Sequence, residues 1–300
     1  MSLETLIECP VCNGNSFNNF LNVDDYTVTK KEFTIQQCNK CYFLFTNPRP
    51  DLNSIGAYYQ SEEYISHHDD SKGLMNKVYT SVRNYTIKKK IELIGTLSPR
   101  QGKLLDIGCG TGNFLQAVKQ AGWETYGTEP DAEARKLASQ RAGLSVFETI
   151  NAKELEEKKF DIITLWHVLE HVHLLNETID WLSDHMNDHG KIIIAVPNPQ
   201  SADAINYGRF WAAYDVPRHL YHFTKATMAL LAKKHQLKID DIQPMWFDSF
   251  YVSMLSTKYK DKKINLLDSV KTGLKSNLRG HSSSYESLNT SSLIYVISKI

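Results

Sequence analysis

Leu104-Leu-Asp-Ile-Gly-Cys-Gly-Thr-Gly-Asn113 is the stretch on which the fold turns. An apolar strand runs into a loop with glycines at 108, 110 and 112, and a helical pattern opens at Asn113. Glycines there let the backbone turn sharply and approach a ligand with no Cβ in the way. Downstream, strand and helix patterns alternate. Strands are expected at 103–107, 124–128, 144–147, 160–166 and 191–196, with helices at 113–121, 131–141 and 176–186. That order implies a parallel sheet with helices on both faces. Two later apolar and aromatic runs, 239–253 and 292–300, read as a closing pair of strands. Upstream, Leu74, Val78, Val82, Ile91 and Ile94 recur at helical spacing.

The rest of the 300-residue chain narrows the class. Its 34 basic residues balance 34 acidic ones, so no global field favours nucleic acid or an anionic membrane. Its apolar runs are too short to span a bilayer, and Met1 to Glu8 has no secretory pattern, so a cytoplasmic location is expected. Four of the five cysteines form two pairs, Cys9-Pro-Val-Cys12 and Cys38-Asn-Lys-Cys41. In a reducing compartment such pairs point to metal rather than disulfides. Four thiolates satisfy tetrahedral zinc with no open position, which predicts a structural Zn2+ site in a module over residues 1–65. Acidic side chains outnumber basic ones in that module, an unsuitable balance for gripping phosphates.

A glycine turn after a strand serves several cofactors, and two acids separate them. Asp106 sits inside the strand end, where a carboxylate would repel a pyrophosphate but could orient the ammonium group of S-adenosylmethionine. Glu129 ends the second strand, where an acid accepts both ribose hydroxyls. Asp106-Ile-Gly-Cys-Gly-Thr-Gly112 resembles the first signature of class I S-adenosylmethionine-dependent methyltransferases, and Gly127-Thr-Glu-Pro-Asp131 resembles their second. Phe160 to Val172 and Gly190 to Asn198 resemble their fourth and fifth strands. The resemblance covers about 103–236 in register. It implies a Rossmann-like α/β domain with a mostly parallel sheet and an antiparallel last strand. It also implies that Asp106, Gly108, Gly110, Glu129 and Pro130 hold the methionine and ribose groups, with S-adenosylhomocysteine as product. By position, Asn151 falls on the adenine side and His167 at the sulfonium end. The four-cysteine module is similar to that of sugar and antibiotic-tailoring methyltransferases, where it helps cover the substrate cleft.

Expected organisation is therefore a zinc-ribbon-like module at 1–65, a helical linker at 66–102 and the methyltransferase domain at 103–300. Its 207–223 and 254–290 segments would be a substrate-side loop and a lid. The loop Tyr207 to Phe223 holds six aromatics, two histidines and two arginines. His219 is the expected general base, because imidazole titrates near working pH; the other use of His219 and His222 would be to cap the helix starting at Thr224. Arg209 and Arg218 could clamp an anionic substrate or lie solvated on the surface. A rival arrangement places a divalent ion on Glu170, His171 and His219 or His222, as in methyltransferases with a Glu-x-x-Glu-His motif; here His167 replaces the first Glu. The apolar positions 264, 267, 270, 274 and 278 and the basic row Lys271, Lys275 and Arg279 predict an amphipathic helix over the cleft. The expected partner is a small-molecule methyl acceptor: a hydroxylated metabolite, sugar or quinone. An RNA methyltransferase using the basic 257–280 segment, or a non-catalytic scaffold, are the alternatives.

Overall fold

A computed structural model describes residues 2–60, 74–98, 100–246, 248–263, 272–273 and 289–300. The module opens with β1 (Leu3–Glu4), β2 (Phe17–Asp24), β3 (Glu32–Cys38), β4 (Leu44–Thr46) and β5 (Arg49–Pro50). The linker contains α1 (Leu74–Leu97). The large domain then runs β6 (Lys103–Ile107), α2 (Asn113–Gln120), β7 (Glu124–Thr128), α3 (Ala132–Ala142), β8 (Val146–Phe147), β9 (Phe160–Trp166), α4 (Leu175–His185) and β10 (Met186–Pro197). It closes with α5 (Ala202–Tyr207), β11 (Tyr221–His222), α6 (Lys225–Lys234), β12 (Leu237–Pro244), α7 (Asp248–Asp261) and β13 (Ser292–Lys299).

Seven strands form one sheet in the order β12-β13-β10-β9-β6-β7-β8. The pairs β10–β9, β9–β6, β6–β7 and β7–β8 are parallel, while β13 runs antiparallel to both neighbours. Side chains alternate across this sheet with the two-residue period of a strand. Leu105, Ile107, Ile163, Leu165, Ile192, Ile194 and Tyr295 join one core; Leu104, Ile162, Ile193, Ala195 and Val296 join the other, packed on Ile94 of α1 and Phe114 and Val118 of α2. Central strands covered on both faces read as unbroken apolar runs, which is why they stand out in the sequence.

Two expectations change. The run 239–253 is a strand only to Pro244; Asp248 onward is helix. Ser249, Ser253 and Ser256 are fully buried at helical spacing, and Ala212 N donates to Ser256 Oγ at 2.9 Å. Small side chains let this helix pack closely on the loop before β11, while the aromatics around them imitate a strand. Of the stretch 254–290 expected as a lid, residues 254–261 complete α7, and most of the remainder, with its apolar row and basic row, lies outside the described residues.

The module and the large domain share a sheet. Tyr221↔Phe45 and His222↔Leu44 pair β11 with β4, giving the four-stranded order β11-β4-β3-β2. Phe43 and Phe45 of the module pack with Tyr221 and Phe223 in the same core as the central strands. Tyr26 stacks on Tyr259 of α7 at 4.4 Å. No helix among the described residues is long and apolar enough to cross a membrane.

Candidate active site

The cofactor-side loop is built by its glycines and two acids. Gly108, Gly110 and Gly112 all take positive φ, but for different reasons. A Cβ on Gly112 would lie 2.8 Å from Ala138 Cα, so this glycine allows α2 to sit against α3. A Cβ on Gly110 would meet nothing within 4 Å, which leaves its backbone open to a ligand. Glu129 Oε2 accepts from Gly110 N at 2.8 Å and Oε1 from Asp131 N at 3.0 Å. A carboxylate has about four lone-pair sites, so both oxygens keep capacity for ribose hydroxyls. Pro130 is exposed just after this strand end, with Arg135 donating to its carbonyl, and Asn151 is exposed with its N donating to Thr149 Oγ1.

Asp106 is buried and accepts from Thr164 Oγ1 at 2.6 Å. Burial pushes its carboxyl up to about 7, against the pull of Thr164 and Lys90. Lys90 reaches over from α1 and lies 4.0 Å from the Trp166 ring; burial holds its ammonium down to about 8 despite Asp106 and Asp248. A buried carboxylate with a depressed tendency to ionise fits a cationic amino group, which would restore the charged form. The residues present thus match the ammonium and ribose of S-adenosylmethionine.

His167, expected at the sulfonium end, is paired with two carboxylates. Its Nε2 lies 2.7 Å from Asp248 and its Nδ1 3.3 Å from Glu170. Burial opposes its charge, but the two carboxylates override that and raise its pKa to about 10. An imidazolium held by both nitrogens ties α7 to the end of β9, and has no free nitrogen for a ligand.

His219 presents one. Its Nδ1 lies 2.9 Å from the carbonyl of Ala213, which can only accept, so Nδ1 carries a proton and, in the neutral ring, Nε2 carries the lone pair. Asp215 stands 4.0 Å from that Nε2. His219 is held by its backbone as well: its N donates to Asp215 O, and Thr46 Oγ1 donates to its carbonyl. It is not a helix cap, since Thr224 and Thr227 cap α6 with a reciprocal box. His222 faces Thr46 of the module, where burial drops its pKa to about 3. Glu170, His171 and His219 each place a ligand-type atom within 4.8 Å of the others. Glu170 Oε2 is buried without a hydrogen-bond partner, and burial lowers the His171 pKa to about 4, helped by His219.

Neither arginine is a substrate clamp on the surface. Arg218 is 1% exposed and bridges Asp215 to Asp25 of the module. Arg209 joins Asp24 at 3.0 Å and Glu32 at 3.1 Å. Sequence reasoning missed Asp25, Asp215 and Asp248 as partners of site residues. The only local signal was Asp25-Tyr-Thr-Val-Thr29, whose two threonine hydroxyls and the amides of Thr27, Val28 and Thr29 turn back on the Asp25 carboxylate.

The four cysteines converge. Cys9 Sγ and Cys41 Sγ are 3.6 Å apart, Cys12 Sγ and Cys38 Sγ 3.5 Å, and all four lie within 4.8 Å of one another. A tetrahedron with metal–sulfur bonds of roughly 2.3 Å has sulfur–sulfur edges of about 3.8 Å. The two knuckles share one backbone pattern: Asn13 N donates to Cys9 O and Tyr42 N to Cys38 O, with Asn13 and Tyr42 both left-handed. Burial pushes the Cys9 thiol up to about 11, so a thiolate there calls for a bound cation.

Comparison with known proteins follows the same lines. The profile of a family described as "Methyltransferase domain" matches residues 79–242, more than half of the chain. An uncharacterized methyltransferase of Alkaliphilus oremlandii is 32% identical over 101 residues, covering 32% of this chain and 46% of that protein. A ubiquinone biosynthesis O-methyltransferase of Bartonella bacilliformis is 31% identical over 110 residues, covering 34% and 44%. The alignments thus span less than half the length of either relative. Among solved structures, magnesium protoporphyrin IX methyltransferase from Synechocystis PCC 6803, crystallised with S-adenosylhomocysteine, superposes with a TM-score of 0.52 at 14% identity, over 81% of this chain and 97% of that one. The shared feature is the fold.

Proposed function

The chain belongs to the methyltransferase-domain family, and from that premise we propose that it methylates a hydroxyl group of a small-molecule acceptor, using S-adenosylmethionine. Asp106, Gly108, Gly110 and Glu129 would hold the cofactor, which supplies an electrophilic methyl group on sulfur. The module at 1–65 would carry a structural Zn2+ on Cys9, Cys12, Cys38 and Cys41. The observation that carries the reading is the contact of His219 Nδ1 with Ala213 O, which in the neutral ring leaves Nε2 as a base. Its partner in the chemistry is an acceptor O–H. The hydroxyl oxygen would bond to the methyl carbon as the carbon–sulfur bond breaks and S-adenosylhomocysteine leaves, the hydroxyl proton would pass to His219 Nε2, and the carboxylates of Glu170 and Asp215 would balance the imidazolium. The likeness to a relative named for O-methylation in ubiquinone biosynthesis accords with a hydroxyl acceptor.

The test is label transfer from methyl-tritiated S-adenosylmethionine to a panel of quinols, phenols and sugars. Label should appear on a hydroxyl oxygen and be lost in His219→Ala. Label on RNA, or on carbon or nitrogen of an acceptor, would overturn the reading.

One observation favours a second mechanism for the same transfer. The bare Glu170 Oε2, beside His171 and His219, would suit a divalent cation that polarises the hydroxyl. Turnover abolished by brief chelation and restored by Mg2+ or Mn2+, with the cysteine-bound metal still present, would select it.

A further inference from the structure

The contact between the module and His219 passes through a buried chain of charges. Asp25, in the loop between β2 and β3, is fully buried. Its Oδ1 lies 3.2 Å from Arg218 Nη1, and the same nitrogen donates to Tyr58 O at 3.0 Å. The other edge of the guanidinium grips Asp215: Nε to Oδ2 at 3.0 Å and Nη2 to Oδ1 at 2.5 Å. Asp215 has φ of 34°, a left-handed conformation that a non-glycine residue holds only under constraint. It delivers both its carbonyl to His219 N and its carboxylate to the neighbourhood of His219 Nε2. The carbonyl of Arg218 itself meets His171 Nδ1 at 3.1 Å.

We infer that Asp25 is a positioning residue for His219, acting through Arg218 and Asp215, so that the cysteine module supplies part of the catalytic loop rather than only a cover. This rests on the reading of His219 as the base. The geometry distinguishes Asp25 from its neighbours. Asp24 and Glu32 make ion pairs across the same interface, but to Arg209, on half-exposed side chains with no bond onward to His219. Arg218 has the fork needed to hold Asp25 and Asp215 at once; a lysine in its place keeps the charge and loses the two-pronged grip. Five local hydrogen bonds from Thr27, Val28 and Thr29 fix the Asp25 carboxylate before Arg218 arrives. Burial alone would raise its carboxyl, but those bonds and the Arg218 charge hold it ionised, down at about 2.

The test reads the His219 ring directly, on the full-length protein labelled with 15N-histidine and assigned through His219→Gln. The wild type should show a single tautomer, with a protonated Nδ1 and an unprotonated Nε2. In Asp25→Asn, which keeps the turn but removes the charge, the two nitrogen signals should collapse toward each other as the ring is released. In Asp24→Asn and Glu32→Gln they should stay in place. Arg218→Lys gives the same readout should Asp25→Asn not fold. A wild-type signature in Asp25→Asn overturns the inference, and so does an equal change in all three variants, which would mean that the module merely docks. Neither result depends on turnover, so failure here is told apart from failure of His219 as base, which Ala substitution tests.

Discussion

Thr46 Oγ1 donates a 2.7 Å hydrogen bond to the carbonyl of His219, 173 positions along the chain. Beside it, Thr46 N donates to the carbonyl of Leu220, and Leu220 N donates to the carbonyl of Glu170. Three distant segments (the end of β4, the turn after β9 and the entry to β11) therefore meet on two consecutive residues. His219 has its orientation fixed from both sides of its backbone, which is the condition for a base that must face one atom.

His219→Ala should lower turnover by about 10²- to 10⁴-fold while leaving cofactor affinity nearly unchanged. Steady-state rates with the acceptor found in the label-transfer panel, together with calorimetry for S-adenosylmethionine, measure the two halves. A fall in both would place His219 in cofactor binding instead.

Asp106 should make the unliganded chain less stable as pH rises. Burial puts its pKa at about 7 in the fold, above the ordinary 3.8 of an exposed aspartate. Between those values the folded chain keeps a proton that the unfolded chain has lost, so stability declines as pH climbs through the window. Asp106→Asn removes that cost. Its melting temperature should gain on the wild type from pH 4 to pH 7, because the wild type loses on the order of 1.4 kcal/mol for each pH step across the window. The same variant should bind S-adenosylmethionine more weakly by about 1–3 kcal/mol. A constant difference in melting temperature across that range would show that Asp106 is charged throughout.

Two glycines of one loop should fail in different ways. Gly112→Ala drives a Cβ onto the backbone of Ala138, so it should lower the melting temperature with or without cofactor. Gly110→Ala has room for the methyl group and bears only the strain of positive φ, about 1–2 kcal/mol. Its main loss should appear in cofactor affinity. Thermal melts with and without S-adenosylhomocysteine separate the two patterns; equal affinity loss with unchanged stability in both would contradict them.

Metal analysis should find about one zinc per chain, with zinc–sulfur distances near roughly 2.3 Å. Because β4 pairs with β11, Cys38→Ser should disturb more than the module. Hydrogen exchange should accelerate in residues 2–60 and also in 219–223, with 103–128 unaffected and cofactor binding retained. Protection lost only in 2–60 would mean that the shared sheet holds without metal.

What was legible in the sequence is what local geometry enforces. Three glycines between a buried strand and a helix can be read without any partner, as can two pairs of cysteines with knuckle spacing. Asp106 and Glu129 were legible because strand ends are predictable from the strands. Arg218 was not: arginine is ordinarily exposed, and besides the nearby Asp215 its partners are Asp25 and Tyr58, far upstream. The partner of His167 was hidden for a related reason, since the carboxylate at its Nε2 belongs to Asp248, on a helix whose aromatics looked like a strand. In each case the missing information was a contact between residues far apart in sequence, which periodicity and spacing do not encode.

The pairing of β4 with β11 also has a consequence in time. A ribosome adding about 5–20 residues per second makes Leu44–Thr46 roughly 10–35 s before Tyr221–His222. Through that interval the edge of β4 has no hydrogen-bonded neighbour on its outer side, and Phe43 lacks the rings of Tyr221 and Phe223 that it later packs on. Nascent chains stalled at residue 215 should therefore be cut by protease around 43–46 and protected once 223 has emerged. The strands of the module would thus be made well before the strand that completes their sheet.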